Sequence, residues 1–540
     1  MGTAKDDVAI CQALASARDH DGLVAHCTAL QRRLAATAEP YPDLTALKLL
    51  GLLRRRRCFG AMEALADALL QAGGKHPGLR RQYAQALIDQ GRYTAAQQVL
   101  AALADATHGH HPGEWAEAQG LLGRVHKQLY VNGTARADRA AAWLQQALAG
   151  YLGPYRAAPQ RHPWHGINAV ALLARAARDG TDPGPLQPGE AVGPLAEGIL
   201  GRLEEADADG GLAVWDLATA MEACVALDRP EAALAWARRY TDDPRADAFE
   251  MASTLRQMTE VWQLAGPGPV HPTLQALVQL LRAALMQRDG GELRAPATEL
   301  QADLRGLQTT DLQRVFGTDR YVTLDWYRRG LERCTAVARI GRDPSRGDGT
   351  GFLVEGRELC PDWGDEPVLV TNAHVISPTP EVAIALRPQE VVVTFEAAEG
   401  AAGQHRRVAE MLFHSRIGEL DTTVVRLNRP VPGARPVPVA EVPPRADGRL
   451  YAVGHPLGGG LSFSLQDNLL IDIDETRVQY RTPTERGSSG SPVFDDRWEL
   501  VALHHAGSPV LPRLGGKPGR LAANQGIRID AIRAAIARRT

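Results

Sequence analysis

The sequence changes character near Cys334, and this change requires at least two kinds of fold in one chain. Up to about residue 265, apolar residues recur at helical spacing in segments rich in Ala, Leu, Arg and Gln. Beyond Cys334 the apolar residues form short runs separated by turn residues, and a final helical stretch, "RIDAIRAAIARR", closes the chain. These runs include "TAVARI", "GTGFLV", "EPVLVTNAHV", "EVVVTFEA", "DTTVVRL", "RLYAVGH" and "ELVALHHAG". Many short strands at such spacing indicate an antiparallel sandwich or barrel rather than βαβ units.

The helical part contains a period of 34 residues. The stretch "RRQYAQALIDQGRYTAAQQVLAAL" predicts two short amphipathic helices joined at Gly91, and Phe59 lies 34 residues before Tyr93 in a helix of the same type. A helix–turn–helix period of this length resembles the tetratricopeptide repeat, with one clear repeat and several degenerate ones. A helical bundle without repeats is the alternative. Stacked repeats form a concave face, so the resemblance implies that this region binds a protein partner or recruits a substrate.

The domain organisation follows from these patterns. We expect a tetratricopeptide-like helical repeat domain over residues 1–265 and a helical connector over 266–332, after the Gly/Pro break "LAGPGPVHP". Residues 333–540 are predicted to form an all-β domain. The fold class is therefore multidomain, with an all-α solenoid followed by an all-β domain.

Composition and charge exclude several functional classes. The formal net charge is −3, which gives no attraction to nucleic acid or to an acidic membrane surface. No apolar stretch has the length of a membrane-spanning helix, and the first residues lack the apolar core of a signal peptide. The six cysteines lack the spacing of metal ligands or of a compact disulfide framework. We expect a cytoplasmic protein with free, buried thiols, no metal site, and no nucleic-acid or membrane partner.

The stretch "RTPTERGSSGSPVF" (481–494) predicts a tight turn that presents one hydroxyl, that of Ser489. A serine hydroxyl needs a histidine to accept its proton and a carboxylate to orient that histidine. His374 ends the apolar strand "VLVTNAHVI", and Asp421 precedes the alternating run "DTTVVRL". Taken singly, these residues also fit a Gly/Ser loop, a strand-end histidine and a turn aspartate.

Five motifs, "GTGFLV", "TNAHV", "LDTTVVRL", "GHPLG" and "GSSGSPVF", resemble in their order the strand motifs of the trypsin-like (chymotrypsin-fold) serine peptidases. The resemblance covers about 200 residues. It implies a double-barrel fold in which His374 is the base, Asp421 the orienting carboxylate and Ser489 the nucleophile. It also implies that the backbone N–H groups of Gly487 and Ser489 form an oxyanion hole. His455 in "GHPLG" is the competing base, although it follows Asp421 in the chain.

The sequence departs from the secreted members of that family in two ways. No cysteine lies beside His374 or Ser489, and Ser488 stands where their zymogens carry an aspartate. Activation through a buried salt bridge with a new N-terminus is therefore not expected. "ARIG", around Arg339 and Ile340, looks like a zymogen cleavage site, but we interpret it as the first barrel strand.

Substrate preference is predicted from two positions. Pro483 stands where trypsin-type enzymes carry an aspartate, so a basic side chain finds no counter-charge. Glutamyl endopeptidases of the same fold carry a threonine and a histidine at the positions of Thr484 and His504, which favours an acidic residue before the cleaved bond. In the alternative interpretation these are a turn residue and a strand-lining residue, with His505 on the opposite face, and the preference is for a small apolar residue.

The sequence as a whole favours a serine endopeptidase that acts through a serine ester, needs no cofactor, and takes protein or peptide substrates. Its repeat domain would recruit substrate or bind a regulatory partner, in an arrangement similar to bacterial effectors of defence or signalling. The alternative is a catalytically retired peptidase fold that serves as a protein-binding scaffold.

Overall fold

The computed structural model divides into two compact units, residues 1–290 and 291–540. The parts of the chain that the structure describes are 4–17, 19–37, 41–133, 137–265, 270–288, 299, 301–305, 318–382, 385–398, 404–445, 448–464, 469–481 and 487–539. Each unit is considered below by itself.

The first unit consists of helices joined mostly by short connections. The described helices are α1 (Ala4–Ser16), α2 (His20–Thr37), α3 (Asp43–Arg55), α4 (Phe59–Gln71), α5 (Pro77–Asp89), α6 (Tyr93–Thr107), α7 (Pro112–Asn132), α8 (Ala137–Ala157), α9 (Pro163–Asp179), α10 (Val192–Ala208), α11 (Val214–Ala226), α12 (Pro230–Asp242), α13 (Ala248–Arg256), a π-helix (Gln257–Val261) and α14 (Pro272–Gln287). From α4 to α9, each helix packs against the next one along the chain. The predicted helical repeat region is confirmed.

The interface between α5 and α6 shows why this sequence forms helical pairs. Ala84 and Ala96 are fully buried, and their small side chains allow the helices to approach, while Leu87 and Leu100 fill the space around them. The two helices turn at Gly91, which has a φ of +75°. Glycine populates this left-handed region without the steric cost that other residues incur, which accounts for its place in the turn.

The second unit begins in its described part with α15 (Thr318–Cys334) and continues into two antiparallel sheets of seven strands each. Its strands are β1 (Val337–Gly341), β2 (Gly349–Glu355), β3 (Pro367–Thr371), β4 (Val392–Phe395), β5 (Gln404–Arg406), β6 (Val408–Ser415), β7 (Thr422–Leu427), β8 (Tyr451–Gly454), β9 (Ser462–Ser464), β10 (Leu470–Ile473), β11 (Arg477–Tyr480), β12 (Pro492–Phe494), β13 (Leu500–Pro512) and β14 (Arg520–Arg528). Short helices α16 (Gly356–Leu359) and α17 (Ile529–Ala537) complete the unit. The predicted antiparallel all-β domain is confirmed, and "ARIG" lies in β1.

The first seven strands form one sheet and the last seven form the other. The first sheet runs β5-β4-β1-β2-β3-β7-β6, and the second runs β10-β11-β14-β13-β12-β8-β9. In the first sheet Phe352 and Val424 are fully buried, and in the second sheet Val478 and Leu503 are. Trp498, in the turn between β12 and β13, is the largest fully buried side chain. Both sheets therefore have apolar interiors that hold their strand ends in fixed positions.

Two expectations from composition can be compared directly with the structure. All six cysteines are free and buried, as predicted. Among the helices of the described residues, none has both the length and the apolarity that crossing a membrane requires.

A close backbone contact between α7 and α8 gives a test of the packing in the first unit. A Cβ atom on Gly150 of α8 would lie 2.8 Å from the carbonyl oxygen of Gln119 and 2.9 Å from the amide nitrogen of Gly123 in α7. We expect Gly150→Ala to lower the free energy of unfolding by about 1–3 kcal/mol, because α7 and α8 must move apart. Urea denaturation followed by circular dichroism measures the change.

Gly201→Ala in α10 is the matched control, since a Cβ there would meet nothing within 4 Å. That variant should keep or raise the free energy of unfolding, by up to about 1 kcal/mol, because alanine is the better helix former. Equal stability of the two variants would contradict the close contact between α7 and α8.

Candidate active site

The ends of two paired strands bring His374 and Asp421 together. β3 pairs with β7 so that Thr371 lies opposite Thr423, and both candidate residues lie just beyond this end of the pair. The N–H of Ala373 donates a 3.1 Å hydrogen bond to the backbone oxygen of Asp421, to which the amide of Asn372 also donates, at 2.9 Å. These two bonds therefore fix the backbone at Asp421 next to the segment that carries His374.

Asp421 then holds His374 with both oxygens of its carboxylate. Oδ1 accepts a hydrogen bond from the backbone N–H of His374 at 3.0 Å, and Oδ2 lies 2.6 Å from Nδ1 of the same residue. A carboxylate can only accept, so Nδ1 carries the proton and Nε2 of a neutral His374 is left as a base. Asp421 also has a φ of +41°, in the left-handed region that is uncommon outside glycine.

The surroundings keep Asp421 ionised although it is fully buried. Burial opposes the charged form, but hydrogen bonds from His374 and His505 outweigh burial and hold the pKa of Asp421 below its usual value. The negative charge is thus available to stabilise a positive imidazole next to it.

Ser489 lies in a turn whose shape depends on glycine. Gly487 and Gly490 have φ values of +93° and +89°. A Cβ on Gly490 would overlap the carbonyl oxygen of Thr350 and lie 2.6 Å from Oγ1 of Thr371, so only glycine fits against β2 and β3. The turn is closed by a 3.0 Å hydrogen bond from the N–H of Ser491 to the oxygen of Ser488. Gly487 to Ser491 therefore form a tight, hydrogen-bonded turn, in which Ser489 is half-buried.

The turn that carries Ser489 and the loop that carries His374 meet at Gly349. A Cβ at this glycine would lie 2.7 Å from both γ-carbons of Val375 and 3.3 Å from the backbone oxygen of Ser489. That oxygen also accepts a 2.8 Å hydrogen bond from the N–H of Thr350. No hydrogen bond between the Ser489 hydroxyl and His374 occurs in the described structure. In enzymes without substrate such contacts are often long and shorten only on binding.

The backbone N–H groups of Gly487 and Ser489 donate to no acceptor among the described residues. The carbonyl of Gly487, by contrast, accepts a 2.9 Å hydrogen bond from Oγ1 of Thr350, which itself accepts a bond from the N–H of His455. Thr350 thus fixes the peptide group that follows Gly487. Sequence reasoning missed this role, because the motif "GTGFLV" shows a strand but not the direction of one hydroxyl.

Of the two predicted specificity residues, the structure describes only His504. Thr484 lies outside the described residues. His504 is buried in β13, with its Nδ1 2.7 Å from the hydroxyl of Tyr480. Burial, helped by the nearby His505 and His374, lowers the pKa of His504 to about 3, so this imidazole is neutral near neutral pH. Any carboxylate it recognises would be held by a hydrogen bond rather than by charge.

His455, the competing base, makes other contacts. It is fully buried, its Nδ1 lies 2.9 Å from the backbone oxygen of Gly459, and burial lowers its pKa to about 4. Among the described residues, the histidines that reach Asp421 are His374 and, unexpectedly, His505.

His374, Asp421 and His505 also form the group of described residues with the donor atoms of a metal site, all within 4.8 Å of one another. Both N···O distances to Asp421 are 2.6 Å, however, which is the length of a hydrogen bond. Two ligands of one tetrahedral zinc stand roughly 3 Å or more apart, since each lies about 2 Å from the ion. The arrangement as it stands is therefore a hydrogen-bonded group.

Part of each unit matches a known protein family. Residues 349–503 match the family model described as trypsin-like peptidase domain, and residues 57–173 match the model described as tetratricopeptide repeats-sensor. The chain joins tetratricopeptide repeats to a trypsin-like peptidase domain. Both resemblances stated from sequence are confirmed, and the first match includes His374, Asp421 and Ser489 but ends just before His504.

Individual relatives are distant. The uncharacterized protein y4fB of Sinorhizobium fredii is 28% identical over 277 residues, which cover 42% of this chain and 39% of that protein. The chain therefore spans well under half the length of this relative. Among solved structures, the inactive form of the Rv3671c protease is 15% identical and covers 39% of this chain and 91% of its own, with a TM-score of 0.26. The active form, from M. tuberculosis, is 17% identical and covers 39% and 82%, with a TM-score of 0.27.

Proposed function

We propose that this protein is a serine endopeptidase in which Ser489 is the nucleophile, His374 the base and Asp421 the orienting carboxylate. The observation that supports this most strongly is the double contact between Asp421 and His374, through the N–H at 3.0 Å and Nδ1 at 2.6 Å. That contact leaves Nε2 of His374 as the acceptor that a serine nucleophile requires.

The proposed reaction is acyl transfer in two halves. The oxygen of Ser489 attacks the scissile carbonyl while its proton moves to Nε2 of His374. The oxyanion that forms receives hydrogen bonds from the N–H groups of Gly487 and Ser489, each of which contributes about 3–4 kcal/mol of stabilisation in well-formed sites. His374 then gives its proton to the leaving amine as the C–N bond breaks. A water molecule hydrolyses the resulting ester by the same route in reverse.

Removal of the nucleophile is the direct test. We expect Ser489→Ala to lower kcat for peptide hydrolysis by about 10⁴-fold or more and to abolish labelling by a fluorophosphonate probe. His374→Ala should be similarly severe, and the double variant should be no worse than either single one, because the two groups act as a unit. Hydrolysis of a fluorogenic peptide library and in-gel labelling provide both measurements.

Ser488→Ala is the matched control, since it removes a neighbouring hydroxyl from the same turn and should retain activity. Full activity of Ser489→Ala in a clean preparation would contradict the assignment. A wild-type protein that neither hydrolyses peptides nor takes up the probe, yet binds a protein ligand, would favour the scaffold alternative.

We further propose that Thr484 and His504 select an acidic residue before the cleaved bond. Support comes from His504, whose backbone pairs directly with the turn of Ser489. Its N–H donates to the oxygen of Ser491 at 2.9 Å, and its oxygen accepts a hydrogen bond from the N–H of Gly490 at 3.0 Å. An imidazole and a hydroxyl can both hydrogen-bond a carboxylate.

For this preference we expect cleavage after Glu or Asp, and we expect His504→Ala to lower kcat/KM for such substrates at least about 10-fold relative to substrates with a small apolar residue. The ratio of the two values within one preparation is the measurement, because partial misfolding lowers both equally. Tyr480→Phe, which removes only the hydroxyl at Nδ1 of His504, is the companion variant and should change the ratio less. Dominant cleavage after Lys, Arg or a large aromatic residue would contradict the proposal.

For the repeat unit we propose that a protein partner bound there regulates the peptidase. Within this unit a cavity of about 250 Å³ is lined by α7, α9, α11, α13 and the π-helix, including Trp164 and Trp215. Its polar floor is ordered, because Nζ of Lys127 donates at 2.7 Å to Gln257, which in turn donates at 2.8 Å to Glu222. Burial lowers the pKa of Lys127 and raises that of Glu222.

Such a cavity supports binding of a partner's side chain rather than mere packing. An interior closed for stability alone would be filled, whereas this one is open, polar at its floor and bordered by a π-helix, a feature frequent at functional sites. The family description of the repeats as a sensor agrees with a regulatory role, and free cysteines agree with a cytoplasmic place. Together these features favour an effector of signalling or defence.

Blocking the cavity in the full-length protein tests the regulation. We expect an extract of cells that express the protein natively to change the peptidase activity of the wild type at least about 5-fold, and Ser253→Trp to abolish that response, since Ser253 lines the cavity. Ala252→Trp on the same helix, which does not line it, is the matched control and should respond normally. An unchanged response in Ser253→Trp, or no response in the wild type, would contradict regulation through this cavity.

A further inference from the structure

His505 is a second histidine that contacts the carboxylate of Asp421, and no sequence motif predicts this contact. Its Nδ1 lies 2.6 Å from Oδ2 of Asp421, the same oxygen that Nδ1 of His374 reaches at 2.6 Å. The two imidazoles are similarly enclosed, with 15% of the His374 side chain and 16% of the His505 side chain exposed, around a carboxylate that is fully buried. The contact crosses from the second sheet to the first.

A β-bulge directs His505 to this position. In the pairing of β13 with β14, His504 lies opposite Gly526 and Ala506 lies opposite Gln525, so His505 is the extra residue on its strand. Bulges of this kind are common next to active sites, where they redirect a side chain. His504 thus packs in the interior against Tyr480, while its neighbour turns to Asp421.

The donors and acceptors among His374, Asp421 and His505 follow from the charge of the carboxylate. An ionised carboxylate only accepts, so both Nδ1 atoms must donate to the same oxygen while Oδ1 accepts the N–H of His374. From the described residues, the carboxylate of Asp421 therefore receives three hydrogen bonds, which fix its plane. His374 makes two of them, one through its backbone N–H and one through the imidazole to be oriented, and the third comes from a different sheet.

We propose that His505 is a positioning residue for Asp421 in the proposed peptidase reaction. If the imidazole of His374 were the only group bonded to Oδ2, this oxygen could move with the imidazole that it is meant to orient. The bond from His505 fixes Oδ2 independently, so that the tautomer and direction of His374 are set before substrate arrives. This role rests on the proposed function, and it requires that His505 act through Asp421 rather than on substrate.

Two substitutions separate this role from packing. His505→Asn places an amide N–H close to the position of Nδ1 and keeps the donor, whereas His505→Ala removes it. We expect His505→Ala to lower kcat by about 10- to 100-fold, the value of one hydrogen bond to a charged group, with KM nearly unchanged. His505→Asn should restore kcat to within about 5-fold of the wild type.

The decisive experiment is a double-mutant cycle, in which His505→Ala is also made in an Asp421→Ala background. If His505 acts through Asp421, removing it there has no further effect on the rate of fluorophosphonate labelling, because the two losses are not additive. An equal loss in both backgrounds would overturn the proposal. Wild-type kcat in His505→Ala would overturn it as well, as would a His505→Asn variant as slow as His505→Ala.

One measurement does not depend on activity. Imidazole protons in short bonds to a carboxylate give far-downfield proton NMR signals, and we expect two in the wild type, one in His505→Ala and none in Asp421→Ala. An inactive wild type with this pattern would reject the proposed function while retaining the contact. An active wild type in which His505→Ala keeps both signals would reject the role of His505 alone.

Discussion

The buried charge of Asp421 is the constraint on which the rest of the peptidase domain depends. A carboxylate without access to water must be compensated by hydrogen bonds, and its partners here come from the loop after β3 and from β13. The pairing of β3 with β7 supplies the first, and the packing of the second sheet against this region supplies the other. The two sheets are thus joined at the group to which the proposed function assigns a catalytic role, so the fold and the candidate site share one interaction.

Much of this arrangement was predictable from sequence because it depends on local patterns. Alternating apolar residues predicted the strands, and the strand ends at His374 and Asp421 predicted that both side chains stand on fixed backbone. Gly490 was predictable as part of a strained turn, since glycine is the residue that tolerates its backbone. In the helical unit the period of 34 residues predicted the repeats, and the turn at Gly91 follows from the same pattern.

The remaining features depend on contacts between distant segments, which local patterns do not record. Thr350 reaches Gly487 across 137 residues, and His505 reaches Asp421 across 84. The alternative interpretation of the sequence put His505 on the face opposite to that of His504, but no local pattern indicated that His505 would meet Asp421. A bulge leaves no sign in a strand of this composition, so its effect on His505 became visible only in the pairing of β13 with β14.

The bulge also determines how β13 responds to a change in length. Side chains of a strand alternate between its two faces, so each residue added or removed exchanges the faces of everything beyond it. A chain lacking His505 would restore regular pairing, yet it would put Ala506 where a hydrogen-bond donor now stands. A chain with one more residue at the bulge could keep the match of His504 with Gly526 and that of Ala506 with Gln525 only by enlarging the bulge. The length of this strand is therefore as constrained as its composition, and an insertion or deletion at this point should be less tolerated than most substitutions within it.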